Sequence, residues 1–390
     1  MTPPARTQAA IELLDAIIAA AREGGAAADT LIQRYFATRR YAGSKDRRAV
    51  RELVYAAIRA AGERPGGGRA AMLLLADRDA GIAATFDGEG HGPPPIHPDE
   101  PKAKAGVVPI WLGKRLTASG IGRAEQEALV ARAPLDLRVN TLLASPAEVA
   151  AETGGELIPG LPAGVRLPTG TDVSALAGRA EIQDAGSQVV TLAARARRGQ
   201  NVIDLCAGAG GKSLALAAVM DNDGAIIATD TDRGRLSHLL PRAERAGASI
   251  IATRLLDPGH ELSTLTDVRG RADTVLIDAP CSGSGTWRRN PEARWRLTPD
   301  RIERLVATQA RLIGIGAALV RPGGALVFIV CSLLDEEGRG QVAAFLADRP
   351  DWAADPLDLP AGRAHGDGWR LDPAHDGTDG FFVARLLAPC

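Results

Sequence analysis

Between residues 6 and 62 apolar side chains recur at helical spacing: Ala9, Ile11, Leu13, Leu14, Ile17 and Ile18, then Leu31, Ile32 and Tyr35, then Val50, Leu53, Val54 and Ile58. Steps of three and four predict amphipathic helices on a shared core, a small all-helical domain. Gly66 to Gly68 and residues 87–104, which contain Pro93-Pro94-Pro95, read as turn and linker. A helical stretch follows over about 110–132, then strand-like alternation over 135–141 and a helix near 146–153, a small α+β module. From about residue 200 short apolar runs (202–205, 225–229, 249–253, 274–277 and 325–330) alternate with helices at 212–220, 233–246 and 299–320. Parallel neighbours need crossover helices, so this alternation predicts a doubly wound α/β sheet with its ligands at the carboxyl ends of the strands. The expected organisation is a helical domain and linker over 1–105, a helical and α+β module over 106–185, and a catalytic domain over 186–390.

Composition narrows the function classes. The chain of 390 residues is 45% hydrophobic, 24% charged and 4% aromatic, an ordinary globular make-up that is poor in rings. Basic and acidic residues number 46 and 47, so nucleic-acid contact must come from a local patch and not a global field. One candidate spans residues 34–51, where Arg34, Arg39, Arg40, Lys45, Arg47, Arg48 and Arg51 face Asp46 alone. A solvated helix face reads the same way; the functional reading is a phosphate-contacting patch with salt-dependent binding. The four cysteines form no CxxC pair and no Cys/His cluster, which points to reduced thiols and no metal. The longest apolar runs, 312–320 and 325–334, fall short of the roughly 18 residues of a membrane helix. Glu12 and Asp15 interrupt the amino-terminal apolar run, so no signal peptide is expected. The expectation is a cytoplasmic monomer with no membrane attachment.

The first α/β strand leads into Cys206-Ala207-Gly208-Ala209-Gly210-Gly211-Lys212-Ser213, a turn of small residues opening a helix, where backbone can pass close to a ligand. A dinucleotide fingerprint would need Gly at 213, where Ser stands, and a phosphate loop would need Gly at 206, where Cys stands. The third reading is S-adenosylmethionine, which has no phosphate and needs an acidic residue for its ribose hydroxyls at the end of the second strand. Asp230 stands there, and Asp257 follows the third strand, where it would accept from the adenine amino group. Either aspartate alone also suits a helix cap or turn. A P-loop nucleotide hydrolase, with Lys212 on phosphate and Asp278 on magnesium, stays open as a rival, as does a non-catalytic RNA-binding factor of ribosome assembly.

Asp278-Ala279-Pro280-Cys281-Ser282-Gly283-Ser284-Gly285 follows the fourth strand and Val330-Cys331-Ser332 the fifth. A single cysteine is ordinarily a small buried hydrophobe. Two at equivalent strand ends suggest chemistry. Carbon 5 of cytosine is too weak a nucleophile to attack a sulfonium methyl, but thiolate addition to carbon 6 turns the ring into an enamine that can. A carboxylate near ring nitrogen 3 favours that addition, and Asp278 is placed for it. The base must leave its stack to be reached, which suits a single-stranded or loop target.

In these motifs the chain resembles the Sun-type RNA cytosine-5 methyltransferases, and within them the bacterial RsmB-like enzymes that methylate small-subunit ribosomal RNA. The likeness covers about residues 134–387. Besides the 278–285 motif it rests on Leu137-Arg138-Val139-Asn140, Gln183-Asp184-Ala185-Gly186-Ser187-Gln188, Trp287-Arg288-Arg289-Asn290-Pro291-Glu292 and Asp379-Gly380-Phe381-Phe382. The resemblance implies a class I, Rossmann-like methyltransferase fold that acts on 16S rRNA. It implies that residues 206–212, Asp230, Asp257 and Asp278 contact S-adenosylmethionine, and that Asp278 also faces the cytosine. Cys331 is then the attacking nucleophile, and Cys281 assists release of the product. That order is carried by the resemblance alone, because DNA cytosine methyltransferases use the proline-cysteine thiol instead.

The amino-terminal domain resembles the NusB-type RNA-binding domain, most clearly over residues 45–55, with a Gly/Pro-rich segment at 63–106 where further helices would be expected. The α+β module is expected to be RRM-like. Two departures from the family pattern are Gly208-Ala209 for the usual Ala-Pro, and Val330 where Thr commonly precedes the nucleophile. Arg288 and Arg289, with Arg294 and Arg296, are expected to guide RNA phosphates into the cleft, and Arg39, Arg40, Arg47 and Arg48 to bind RNA from the amino-terminal patch. The alternative for the 288–296 cluster is pairing with Glu292, Asp300 and Glu303.

Overall fold

The computed structural model describes residues 1–390, which divide into two compact units. The first joins residues 1–132 to a returning segment, 286–298; the second comprises 133–285 and 299–390. The division therefore falls after Arg132 and not at the expected 105/106, and the expected boundary at 185/186 lies inside a single unit.

The first unit contains α1 (Pro3–Glu23), α2 (Ala28–Ala37), α3 (Ser44–Ala60), α4 (Gly68–Ala76), α5 (Ala80–Ala83), α6 (Ile110–Ala118) and α7 (Arg123–Ala128). Thr2 caps α1, which carries proline in its first turn and ends on Gly24 at φ 81°, a left-handed cap that glycine adopts without a Cβ penalty. Leu13, Leu14, Ile17, Val54, Ile58, Met72 and Leu73 form the core. α4 lies inside the Gly/Pro-rich segment 63–106, between the two stretches expected to be turn and linker, because the buried run from Ala71 to Ala76 outweighs the glycines before it. It meets α1 at Gly68, whose N–H donates to Asp15 Oδ1 at 2.6 Å and where any Cβ would overlap the Ile11 carbonyl. Residues 87–104 have no helix or strand, yet they are pinned. Arg69 donates to the carbonyls of Pro94 and Pro95 and to Glu100 (Nε to Oε2, 2.5 Å), and Ala103 N–H donates to Ala70 O.

The returning segment plugs this unit. Trp295 joins the helical core, and Glu292 accepts the Ala28 N–H at 3.0 Å, capping α2 where Ala27 offers no hydrogen-bond acceptor in its side chain. Arg294 is fully buried and donates to the carbonyls of Ile58 (2.6 Å), Ala61 (2.8 Å) and Pro291. Arg296 donates to those of Gly25 and Ala26.

In the second unit β1 (Leu135–Val139), α8 (Pro146–Thr153), β2 (Glu156–Leu157), β3 (Gly164–Leu167) and β4 (Ala180–Ile182) make an antiparallel sheet in the order β2-β3-β1-β4. Polar groups join it to the larger sheet. Arg138, nearly buried, pairs with Glu181, which also takes Arg242, and Asn140 Nδ2 donates to Ala246 O at 2.7 Å. Buried hydrogen bonds of this kind explain why no compact division falls at 185/186.

The larger sheet runs through α9 (Ala185–Leu192), β5 (Gln200–Asp204), α10 (Gly211–Val219), β6 (Gly224–Asp230), α11 (Arg233–Leu236), α12 (Leu239–Arg245), β7 (Ile251–Leu255), α13 (Glu261–Thr264), β8 (Ala272–Asp278), α14 (Pro299–Leu319), β9 (Val320–Val330) and α15 (Arg339–Asp348). β5 to β9 are parallel, in the spatial order β9-β8-β5-β6-β7. The helix expected over 233–246 is split, because Pro241 has no N–H to carry the ladder back across Ser237. Past the parallel strands lie β10 (Ala353–Ala354), β11 (Arg363–His365), β12 (Gly368–Leu371), α16 (Pro373–Asp376) and β13 (Phe381–Leu387), whose antiparallel edge on β9 makes the sheet mixed. No helix is long and apolar enough to cross a membrane.

Candidate active site

β5 ends at Asp204 and the 206–212 turn carries the chain into α10. Gly208 and Gly210 sit at φ 55° and 89°, the left-handed region. A Cβ at 210 would lie 2.5 Å from Leu239 Cγ, and one at 208 would overlap the Arg235 guanidinium. At 210 conformation and space together exclude a side chain, whereas at 208 only the movable end of Arg235 stands in the way. Asp230, at the end of β6, accepts the Gly208 N–H at 2.7 Å and the Asp232 N–H at 2.8 Å, which fixes its carboxylate across the mouth of the turn.

Beneath the turn Asp204 is buried. Ser213 Oγ donates to its Oδ2 at 2.6 Å while Oδ1 has no partner, and burial pushes its pKa up to about 7. Burial likewise raises the Cys206 thiol well above its ordinary value, so this cysteine packs in the turn as a neutral side chain. Lys212 reaches from the start of α10 to Asp278 at the end of β8, Nζ to Oδ2 2.6 Å, and its ammonium also lies over the Phe381 ring.

β8 and β9 are parallel neighbours, with Asp278 opposite Ile329, so the turns leaving them run side by side. Cys281 Sγ and Cys331 Sγ are 3.3 Å apart and both are half-buried. The contact with Cys331 and burial raise the Cys281 thiol well above its ordinary value. Both sulfurs line a cavity of about 360 Å³ together with Asp230, Asp278 and Cys206. Its wall includes Leu256, Ala279, Pro280 and Leu312, apolar surface against which a flat ring packs, and its size suits a ligand of cofactor dimensions.

Asp257 is exposed and lies outside this lining; Leu256 before it and Glu261 after it face the cavity instead. Glu261, nearly buried, pairs with Arg311 of α14 at 2.6 Å, and Arg235 completes the polar wall. Spacing gave no signal for Arg235, Glu261 or Arg311, each an ordinary charged residue on a helix that the fold turns inward.

In the helical unit Arg40, Arg47 and Arg48 are exposed, while Arg39 stacks on Tyr35 at 3.6 Å and pairs with Glu12. The 288–296 cluster differs from expectation. Arg288 is buried and donates to Arg132 O at 3.0 Å, Arg294 is buried on carbonyls, and Arg289 is half-buried. The segment packs as core, so Arg288 and Arg294 hold main chain and do not form a phosphate-guiding surface.

Five parallel strands, a glycine turn after the first and acidic strand ends around a cavity define a class I, Rossmann-like methyltransferase fold. It matches the solved structure of PH0851 with TM-score 0.76 at 25% identity over 99% of each chain. It also matches a methyltransferase homologue from Pyrococcus horikoshii, with TM-score 0.59 at 27% identity over 72% of this chain and 100% of that one. The chain belongs to the family described as 16S rRNA methyltransferase RsmB/F, whose family model matches residues 190–387. Among curated relatives, a probable ribosomal RNA small subunit methyltransferase B of Synechocystis is 36% identical over 71% of this chain. The ribosomal RNA small subunit methyltransferase B of Thermus thermophilus is 38% identical over 55%. The matched regions span 66% and 51% of those two relatives.

Proposed function

We propose that this chain methylates carbon 5 of a cytosine in small-subunit (16S) ribosomal RNA, using S-adenosylmethionine and a covalent adduct at Cys331. The observation that carries this reading is the pair of sulfurs 3.3 Å apart on adjacent parallel strand ends, in one cavity with Asp230 and Asp278. The turn of small residues, closed to a Cβ at Gly210, and the strand-end carboxylate of Asp230 suit a cofactor with a ribose and no phosphate. When bound, S-adenosylmethionine supplies the electrophilic methyl group. Residues 206–212 and Asp230 hold it.

The Cys331 thiolate adds to carbon 6 of the cytosine and pushes electron density onto carbon 5. Asp278 stabilises the ring protonated at nitrogen 3, with Lys212 orienting its carboxylate. Loss of the carbon 5 proton after methylation then expels the Cys331 sulfur, and Cys281, in contact with it, assists that release. Arg40, Arg47 and Arg48 on the helical unit, which we read as NusB-type, meet RNA phosphates together with Arg39. The chain acts as a cytoplasmic monomer.

The test is transfer of labelled methyl groups to unmethylated 16S rRNA, followed by bisulfite sequencing. Incorporation at one cytosine supports the proposal, and none overturns it. Calorimetry separates the nucleotide-hydrolase rival, since S-adenosylhomocysteine should bind without magnesium and ATP should not bind with it. In the structure Lys212, the rival's phosphate ligand, is closed on Asp278.

A further inference from the structure

Glu337 lies on the loop between β9 and α15, six residues after Cys331, and is fully buried. Its Oε1 accepts the Ser282 backbone N–H at 2.8 Å and Gln309 Nε2 at 3.0 Å, and its Oε2 accepts Ser332 Oγ at 2.6 Å. All three partners are neutral donors. Ser282 directly follows Cys281 and Ser332 directly follows Cys331, so one carboxylate grips the residue next to each thiol. Further bonds brace the same turns: Gln309 Nε2 donates to Pro280 O at 2.9 Å, the Ser332 hydroxyl lies 3.1 Å from those of Ser282 and Ser284, and Gly285 N–H donates to Cys331 O at 3.0 Å. A buried carboxylate facing no cation is costly unless its hydrogen bonds are complete, and an arrangement that retains one holds its partners rigidly.

We propose that Glu337 is the positioning residue of the thiol pair: it clamps the two turns so that the sulfurs stay in contact, and its charge opposes a second negative charge on Cys281. This rests on reading Cys331 as nucleophile and Cys281 as the releasing group. The raised Cys281 thiol agrees, since the Glu337 charge adds to the effects of the Cys331 contact and of burial. The other titratable groups facing the pair are Cys206, Asp278, Asp230, Glu261, Arg235 and Arg311 around the cavity. None of them bonds to the residue after either thiol.

Two variants separate geometry from charge. In E337Q the amide oxygen still accepts from Ser282 and Gln309, and Ser332 can turn its hydroxyl to accept from the amide nitrogen, so the clamp survives without its charge. E337A removes the shared acceptor and leaves the Ser282 N–H unmet. In a Cys390→Ser background, treatment with the thiol oxidant diamide couples Cys281 and Cys331 as a disulfide, both thiol hydrogens passing to the diazene, which becomes a hydrazine. The parent and E337Q should form this bond at similar rates, and E337A at least about tenfold more slowly. In a C331S background, the pH midpoint for alkylation of Cys281 by iodoacetamide should fall by about one unit in E337Q. Methyl transfer by E337A should lose kcat with unchanged S-adenosylhomocysteine affinity. Oxidation of E337A at the parental rate overturns the clamp, and an unmoved E337Q midpoint overturns the charge effect even if E337A fails to fold. Failure of the parent to methylate RNA would count against the methylation reading, while the two thiol readouts still decide the role of Glu337.

Discussion

Cys281 Sγ and Cys331 Sγ touch at 3.3 Å although fifty residues separate them in the chain. Parallel pairing of β8 with β9 brings their carboxyl ends level, and each thiol sits in the turn just beyond. The two sulfurs are therefore available to one substrate ring, and their substitutions should fail differently. Cys331→Ser should lower methyl transfer by on the order of 10³-fold or more, because the adduct cannot form. Cys281→Ser should leave enzyme bonded to RNA as a denaturation-resistant band on a gel. Parental activity in both variants would exclude the adduct.

Gly210→Ala tests the turn. The site combines a φ of 89° with a Cβ position 2.5 Å from Leu239 Cγ, so the substitution should destabilise by about 1–3 kcal/mol. S-adenosylhomocysteine affinity should fall at least about tenfold by calorimetry, that being the equivalent of roughly 1.4 kcal/mol of lost fit. Unchanged affinity would mean the cofactor binds elsewhere.

Arg294→Ala removes the donor to three buried carbonyls and should cost roughly 2–4 kcal/mol in thermal or denaturant unfolding. Cofactor affinity should be untouched, because Arg294 belongs to the helical unit. The salt dependence of RNA binding should also stay as it is; a flatter dependence would restore a phosphate role to this arginine.

Replacing Arg40, Arg47 and Arg48 together by alanine should weaken RNA binding and flatten the log Kd against log salt slope by about 2, since each neutralised phosphate of a single strand contributes roughly 0.7 to it. S-adenosylhomocysteine binding should not change. An unaltered slope would identify these exposed side chains as a solvated face.

The strap over residues 87–104 should respond to acid in one direction. The Arg69 guanidinium, helped by the His97 N–H, holds the Glu100 carboxyl down to about 2 from an ordinary 4.5. A lowered acid stabilises the fold above its unfolded value and loses that contribution as pH falls through the folded one. Amide exchange along the strap should be pH-corrected constant from pH 9 to 5 and rise between about 4.5 and 2. Arg69→Ala should raise it already at pH 7.

The residues themselves reveal the alternation of strands and helices after residue 200, the glycine turn, the strand-end aspartates and the two thiols, because periodicity and small-residue turns are local. Asp230, Asp278, Cys281 and Cys331 could be placed at strand ends from apolar runs alone, and the parallel sheet then brings them together. Three things depended on distant chain. α4 formed in a glycine- and proline-rich segment because α1 and α3 offered its apolar run a core. Arg294 and Arg288 became structural because the 286–298 segment folds back onto the helices; charge in sequence does not say whether a carbonyl or a phosphate waits for it. Glu337 is one acid among several after Cys331, and only the close packing of two turns and α14 makes it the shared acceptor between the thiols. Local pattern determines which elements form and which chemistry each end carries, whereas burial and partner choice are decided by surfaces that meet only after the chain has folded.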